Sequence, residues 1–212
     1  MRKFLFLLAL IPVVLPTAAL AVTIDRIAAV IDRQVLTVSE INQLVELRFF
    51  PRTERSDEDH RREVLDRLIA QALRLRDAER FGPQEIPRDS IEARLAEIRK
   101  RFASEDEFNA ALARTELTLD EVRALVRRQL QVEAYIGERF APLIFVSGDE
   151  IETYYKGPWS EQRRERRLAV PPLSEVREEI RALLRASRLE EEIERWTAQL
   201  RARANVDVYA WR

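Results

Sequence analysis

Apolar side chains recur at helical spacing through the C-terminal stretch Ser174 to Arg212, at Val176, Ile180, Leu183, Leu184, Leu189, Ile193, Trp196 and Leu200. The spacing slips once near the middle. Ser174 supplies an N-cap side chain, and Glu175, Glu178 and Glu179 fall where the positive end of a helix dipole favours carboxylates. Arg201 and Arg203 suit the opposite end, and no proline or glycine interrupts the run. About thirty residues at 1.5 Å each predict a rod of roughly 45 Å. Such a rod cannot bury its own apolar stripe, so earlier parts of the chain are expected to lie along it. After it, Val206-Asp207-Val208-Tyr209-Ala210-Trp211 alternates apolar and polar at first and reads as a strand that needs a partner strand.

The only other β-like pattern spans Val22 to Val38. Ile27-Ala28-Ala29-Val30-Ile31 is almost continuously apolar, Asp32-Arg33-Gln34 breaks it, and Val35-Leu36-Thr37 resumes it. That predicts a short hairpin able to receive the C-terminal strand. Thr37 with Glu40 forms a capping box and opens a first helix through Ile41, Leu44 and Val45. A second begins near Ser56, with Val64, Leu65, Leu68, Ile69, Ala72 and Leu75 as its stripe, and Phe81-Gly82-Pro83 stops it. A third starts near Arg88 and carries Ile91, Leu95, Ile98 and Phe102. Ser104 with Glu107 opens a fourth, Thr118 with Glu121 a long fifth that Pro142 closes, and Ser147 with Glu150 a sixth that ends near Tyr154-Tyr155-Lys156. Gly157-Pro158 and Pro171-Pro172 bracket a charge-dense stretch that reads as an exposed loop. The predicted fold class is mainly α: a helical module with a long C-terminal helix and a small β-sheet formed by an N-terminal hairpin and a C-terminal strand.

Composition narrows the chemistry. With 46% hydrophobic and 34% charged residues, the chain has the balance of a globular domain with a real core. Four glycines form no phosphate-binding loop. The absence of cysteine excludes thiolate catalysis, Cys-based zinc sites and iron–sulfur clusters, and a single histidine, His60, excludes a multi-His metal site. No cofactor is implied. Basic and acidic residues alternate instead of segregating, which argues against nucleic acid as a partner. His60 sits in Asp59-His60-Arg61-Arg62, on a charged first turn, and is expected to face solvent. Met1 to Ala21 has the form of a secretory signal: Arg2 and Lys3, an apolar run from Phe4 to Leu15 too short to span comfortably, and Ala19-Leu20-Ala21 as a cleavage site. Cleavage takes the formal net charge from −1 to about −3 and leaves no membrane span, and the expected compartment is a bacterial periplasm.

Several phrases resemble a known family. Ile27 to Ile31 with Val35-Leu36-Thr37-Val38-Ser39-Glu40-Ile41 is similar to the start of the SurA-type periplasmic chaperone domain. So is Phe108 … Leu112 … Leu117-Thr118-Leu119-Asp120-Glu121-Val122 … Val126-Arg127-Arg128-Gln129-Leu130. Ile144-Phe145-Val146-Ser147-Gly148-Asp149-Glu150-Ile151 … Tyr154-Tyr155 resembles the junction where that family enters a parvulin isomerase domain, and Leu173-Ser174-Glu175-Val176 the point of exit. The resemblance implies a helical body completed by the C-terminal helix, with the strands of the two chain ends paired. It also implies buried histidines in a parvulin active site. Here only Gly157 to Pro172 stands at the junction, and His60 is far from it, so prolyl isomerisation is not carried over. The expected organisation is a signal peptide over 1–21 and one chaperone domain over 22–212. That domain comprises an N-terminal part 22–156, a loop 157–173 in place of the parvulin domain, and the helix plus strand 174–212.

The function expected from these features is that of an ATP-independent holdase for unfolded exported polypeptides, with outer-membrane proteins the client class that the family likeness implies, and not that of an enzyme. Large apolar side chains gather at predicted helix ends and loops, where core burial is hardest. Phe49, Phe50, Phe140, Leu143, Phe145, Tyr154 and Trp159 are therefore the candidate peptide-binding residues, with ordinary core packing as the competing explanation for each. The alternatives are a degenerate prolyl isomerase, a carboxylate-based hydrolase, and an adaptor for one folded periplasmic partner. The acids sit at caps and i,i+4 positions, the pattern of solvated helix faces, which offers a hydrolase no motif.

Overall fold

The computed structural model describes residues 25–52, 56–82 and 84–209. The expected signal segment, Met1 to Ala21, lies outside the described residues, as do Ala210 and Trp211 at the end of the expected terminal strand.

Strands β1 (Ile27–Ile31) and β2 (Gln34–Thr37) form the antiparallel hairpin. Asp32 takes a left-handed φ of 53° at its turn, a conformation that aspartate tolerates better than most residues. Strand β3 (Val206–Val208) pairs antiparallel with the other edge of β1, giving the order β2-β1-β3. Val30 faces Val35 on one side and Asp207 on the other. The two ends of the described chain thus share one sheet. Asp32 fastens the joint: its Oδ1 accepts from the Asn205 N–H at 2.8 Å, and its Oδ2 pairs with Arg76. The Asn205 N–H, then Arg76, hold the Asp32 carboxyl below its ordinary range.

Helix α1 (Val38–Glu46) starts on the Thr37/Glu40 capping box. Helix α2 (Asp57–Glu79) is capped by Ser56, and α3 (Arg88–Arg99) follows Pro87. Helix α4 (Glu105–Arg114) is capped by Ser104, although the Glu107 carboxylate accepts from the Ala103 N–H and leaves the reciprocal box unmade. Helix α5 (Leu119–Arg139) opens on the full Thr118/Glu121 box and ends at Phe140, with Pro142 in the 3₁₀ turn that follows. Helix α6 (Gly148–Tyr154) opens on the Ser147/Glu150 box. Ala28, Ala29, Ile31, Leu36, Ile41, Leu44, Ile69, Leu73, Leu95, Ile98, Phe108, Val122 and Val126 build one core between the sheet and α1 to α5.

Two expectations are corrected at the junction. The stretch read as a loop continues α6 through a π-helical turn, Tyr155–Trp159, into α7 (Ser160–Glu165). Gly157 departs from helical geometry there, at ψ −107°, so the turn widens around Pro158, which has no N–H to donate. Burial of Trp159 outweighs the local punctuation. Its side chain packs with Val146, Ile151, Val176 and Ile180, and Tyr155 Oη closes the remaining loop by donating to the Pro171 carbonyl at 2.8 Å. The second correction concerns the last helix, α8 (Leu173–Arg203), whose N-cap is Pro172 and not Ser174. Proline fixes a φ suited to the helix entry, and the helix begins without a side-chain cap.

Helix α8 runs about 46 Å and is held at two places. Val176 and Ile180 pack on the α6 cluster, and Trp196 packs with Ala78, Tyr135 and Phe140. No residue from Arg181 to Arg195 is buried, so the middle of the rod bridges two bodies. No helix among the described residues is long and apolar enough to cross a membrane.

One charge pair ties α8 to α6. Arg188 pairs with Glu150, and the Ser147 N–H donates to the Glu150 carboxylate at 2.8 Å. The Arg188 guanidinium first, and Ser147 next, hold the Glu150 pKa down to about 2 from an ordinary 4.5. A carboxyl whose folded pKa is depressed stabilises the fold above its unfolded pKa, and that contribution is lost as pH falls from about 4.5 towards 2. Glu150→Gln is therefore expected to flatten the acid limb of stability in this window, measured as urea midpoints between pH 6 and pH 2.5 or so. An unchanged slope would contradict the assignment.

Candidate functional site

A groove of about 440 Å³ opens between β2, α1, α2 and α5. Its floor is Leu36, Leu44 and Phe49. Leu68, Ala72 and Leu75 project from α2 at i, i+4 and i+7, and Leu117, just ahead of α5, lines the groove opposite them with Ala124 and Leu125 of α5. Core and groove divide the apolar arc of α2 between them. Val64, Leu65, Ile69 and Leu73 are buried, while Leu68, Ala72 and Leu75 are half-buried. On α5, Val122 and Val126 turn to the core, and Ala124 and Leu125 stay half-exposed beside it.

The polar rim is made of Gln34, Gln43 and Gln71 with Glu40, Glu121 and Arg128. Both acids are already engaged as the third residues of capping boxes. Glu40 Oε2 accepts from the Thr37 N–H at 2.8 Å, and Glu121 Oε2 accepts from the Thr118 N–H at 2.7 Å. The Thr118 N–H, then its hydroxyl, hold the Glu121 carboxyl low. Gln43 Nε2 donates to the Thr115 carbonyl at 3.0 Å. The lining therefore offers apolar surface, side-chain amides and the Arg128 cation, and it brings no nucleophile beside a base. What it can do is bury an apolar group and hydrogen-bond a passing backbone. No group of His, Cys, Asp and Glu among the described residues is placed to hold a metal ion.

The seven residues singled out from the sequence do not converge. Phe49 is buried and lines the groove floor, with Phe50 edge-on to it at 5.3 Å between ring centroids. Phe140 is buried against Trp196, at 5.1 Å. Trp159 is buried in the α6 cluster, and Tyr154 is half-buried beside it. Leu143 and Phe145 are each 76% exposed, on the connection from α5 to α6. Helix ends turn the chain, and four of the aromatic rings plug those turns. His60 is a further correction: it is 4% exposed, not solvent-facing. The first turn of α2 lies against the end of α1, so its charged neighbours point outward while the imidazole points in. Stripe position alone does not separate the half-buried Leu68 and Leu75 of the groove from the buried leucines of the same helix. The signal available was the breadth of the α2 arc, wider than one packed face requires.

No protein-family model matches the chain. Individual proteins do. It is 28% identical over 146 residues to the Chaperone SurA of Saccharophagus degradans, covering 66% of this chain and 34% of that protein. It is 30% identical over 155 residues to the Chaperone SurA of Chromobacterium violaceum, covering 69% and 35%, and 30% identical over 141 residues to that of Pseudomonas putida, covering 62% and 32%. The chain spans about a third of the length of the curated relatives it matches.

Proposed function

We propose that this chain, which resembles the SurA-type chaperones over about two thirds of its length, is an ATP-independent holdase for unfolded exported polypeptides. The relatives support a chaperone role in general. The observation that carries the finer reading is the groove between α1, α2 and α5, apolar at its floor and rimmed by three glutamines, two capping glutamates and Arg128. Its volume falls in the range of small-ligand clefts, roughly 300–1,000 Å³, so it takes single apolar side chains of an extended segment and no folded domain. Burial of such groups is non-directional and yields about 1.5–3 kcal/mol for a fully buried aliphatic side chain. Binding of that kind tolerates many sequences and releases its client without nucleotide hydrolysis.

Phe49 contributes to the groove in this reading. Leu143 and Phe145 give a second apolar contact, and Phe50, Phe140, Tyr154 and Trp159 hold the frame. The compartment is the periplasm, with residues 1–21 removed as a signal and 22–212 acting as one chaperone unit. Outer-membrane proteins are the client class. Prolyl isomerase activity is not part of the function: residues 157–172 form the π turn, α7 and a short loop, and the one histidine lies on α2.

The mature chain at stoichiometric excess is expected to suppress aggregation of an unfolded outer-membrane protein without ATP, read by light scattering. It is also expected to leave the isomerisation rate of a proline tetrapeptide at the uncatalysed value. Undiminished scattering overturns the holdase reading. A single stable complex with one folded periplasmic protein, without suppression, would replace it with the adaptor reading.

A further inference from the structure

Leu143 and Phe145, each 76% exposed, are the most exposed large apolar side chains among the described residues. They stand two residues apart on a stretch that runs as a strand does. Ile144 between them has φ −85° and ψ 106°, so Leu143 and Phe145 point outward while half-buried Ile144 and buried Val146 turn back towards the protein. Val146 packs in the α6 cluster. The rod fixes this shape from behind: Arg185 donates to the Ala141 carbonyl at 3.5 Å, and Arg188 donates to the Phe145 carbonyl. No charged residue occurs from Phe140 to Gly148, in a chain with 34% charged residues. Two large apolar groups held outward on an extended, charge-free segment are costly to leave in water.

That segment has the form the groove accepts. The groove lies under the edge strand β2, which brings Gln34 and Leu36 to its lining, so an extended segment can run beside it. A charge-free segment also carries no charge past Glu40, Glu121 and Arg128 at the rim. The segment cannot reach the groove of its own chain. Leu125 lies in the groove and the connection begins beyond Arg139, and α5 rises about 21 Å between the two. Arg185 and Arg188 tie the segment to the rod at that end. The same segment on a second copy has no such restriction.

On the proposed reading that the groove seats extended apolar segments, we infer that it is also a docking site for the Leu143–Phe145 segment of a second copy of this chain. The protein then associates with itself when no client is present, and clients compete for the same seat. Two side chains and a short length of backbone cover far less than the roughly 1,200 Å² of a stable interface, so the association is weak and reversible. Reciprocal filling of both grooves closes a two-fold dimer, the commonest closed form.

The test is sedimentation velocity of the mature chain from about 1 μM to about 1 mM, with and without a synthetic peptide of residues 140–147. The sedimentation coefficient is expected to rise with concentration, and the peptide to reverse the rise. The double variant Leu143→Ser, Phe145→Ser is expected to weaken self-association at least about thirtyfold while its groove still binds the labelled peptide, read by fluorescence anisotropy. Leu68→Gln with Leu125→Gln is expected to lose both. A sedimentation coefficient independent of concentration overturns self-docking. So does association undiminished in the serine variant, or a peptide that leaves the parent associated. The serine variant changes exposed side chains only, so none of these results depends on the groove variant folding. Suppression of client aggregation is read in parallel. Suppression without self-association sinks self-docking alone, and self-association without suppression sinks the holdase reading alone.

Discussion

Replacing Trp196 with alanine is expected to destabilise the fold by about 3–5 kcal/mol, the usual cost of emptying a buried aromatic site. Trp196 is 6% exposed, and its ring lies 5.1 Å from Phe140 and 5.6 Å from Tyr135. Its indole N–H donates to Asp77 Oδ2 at 3.2 Å, and Arg139 approaches the same oxygen at 3.5 Å. The position matters beyond its own area. Between Ile180 and Trp196 the rod has no buried residue, so Trp196 is the one fully buried anchor of its C-terminal half, with Leu189 and Leu200 only half-buried. Its loss is expected to free the end of α8 and, with it, strand β3, while Val176 and Ile180 keep the N-terminal half on α6. Urea unfolding gives the magnitude. Hydrogen exchange gives the pattern, with faster exchange in residues 189–208 than in 173–181. A loss below about 1 kcal/mol, or equal acceleration along the whole helix, would contradict this account of how the rod is held.

The features legible in the sequence are those encoded within a few residues. Thr37 with Glu40, Thr118 with Glu121 and Ser147 with Glu150 each satisfy two N–H groups locally, and all three open helices where expected. The rod and the terminal strand were legible for a different reason. Each presents more unsatisfied apolar or backbone surface than it can bury alone, so each requires a partner elsewhere in the chain. Distant partners explain what was not legible. Trp159 draws Ser160–Glu165 into a helix by packing on Val176 and Ile180, which lie beyond two prolines that read as breaks. Asp59, Arg61 and Arg62 make the start of α2 read as solvated, yet His60 on the same turn is buried and lines a cavity with Phe50 and Phe102. The groove needs three helices and a strand to exist. Of the seven candidate residues at helix ends and loops, Phe49 alone lines it: Phe50, Phe140 and Trp159 close the core around the turns, Tyr154 packs half-buried beside Trp159, and Leu143 and Phe145 lie exposed on the connection from α5 to α6.

The double variant Leu68→Gln, Leu125→Gln separates groove from frame. Both leucines are half-buried and face the groove from α2 and α5. Full burial of a leucine is worth about 1.5–3 kcal/mol, and roughly half of that area remains for a client to cover. The two together therefore contribute about 2 kcal/mol to client binding, and their loss is expected to weaken it about 30-fold. Glutamine keeps length and helix propensity, and the core stripe of Leu65, Ile69, Val122 and Val126 is untouched, so the folded amide spectrum is expected to persist. Phe145→Ser, at the exposed connection between α5 and α6, is the matched comparison, because it removes a larger apolar group without touching the groove. Fluorescence anisotropy of a labelled unfolded segment reads all three proteins. Should the double variant bind as the parent does while Phe145→Ser binds weakly, the client seat lies on the connection and not between α1, α2 and α5.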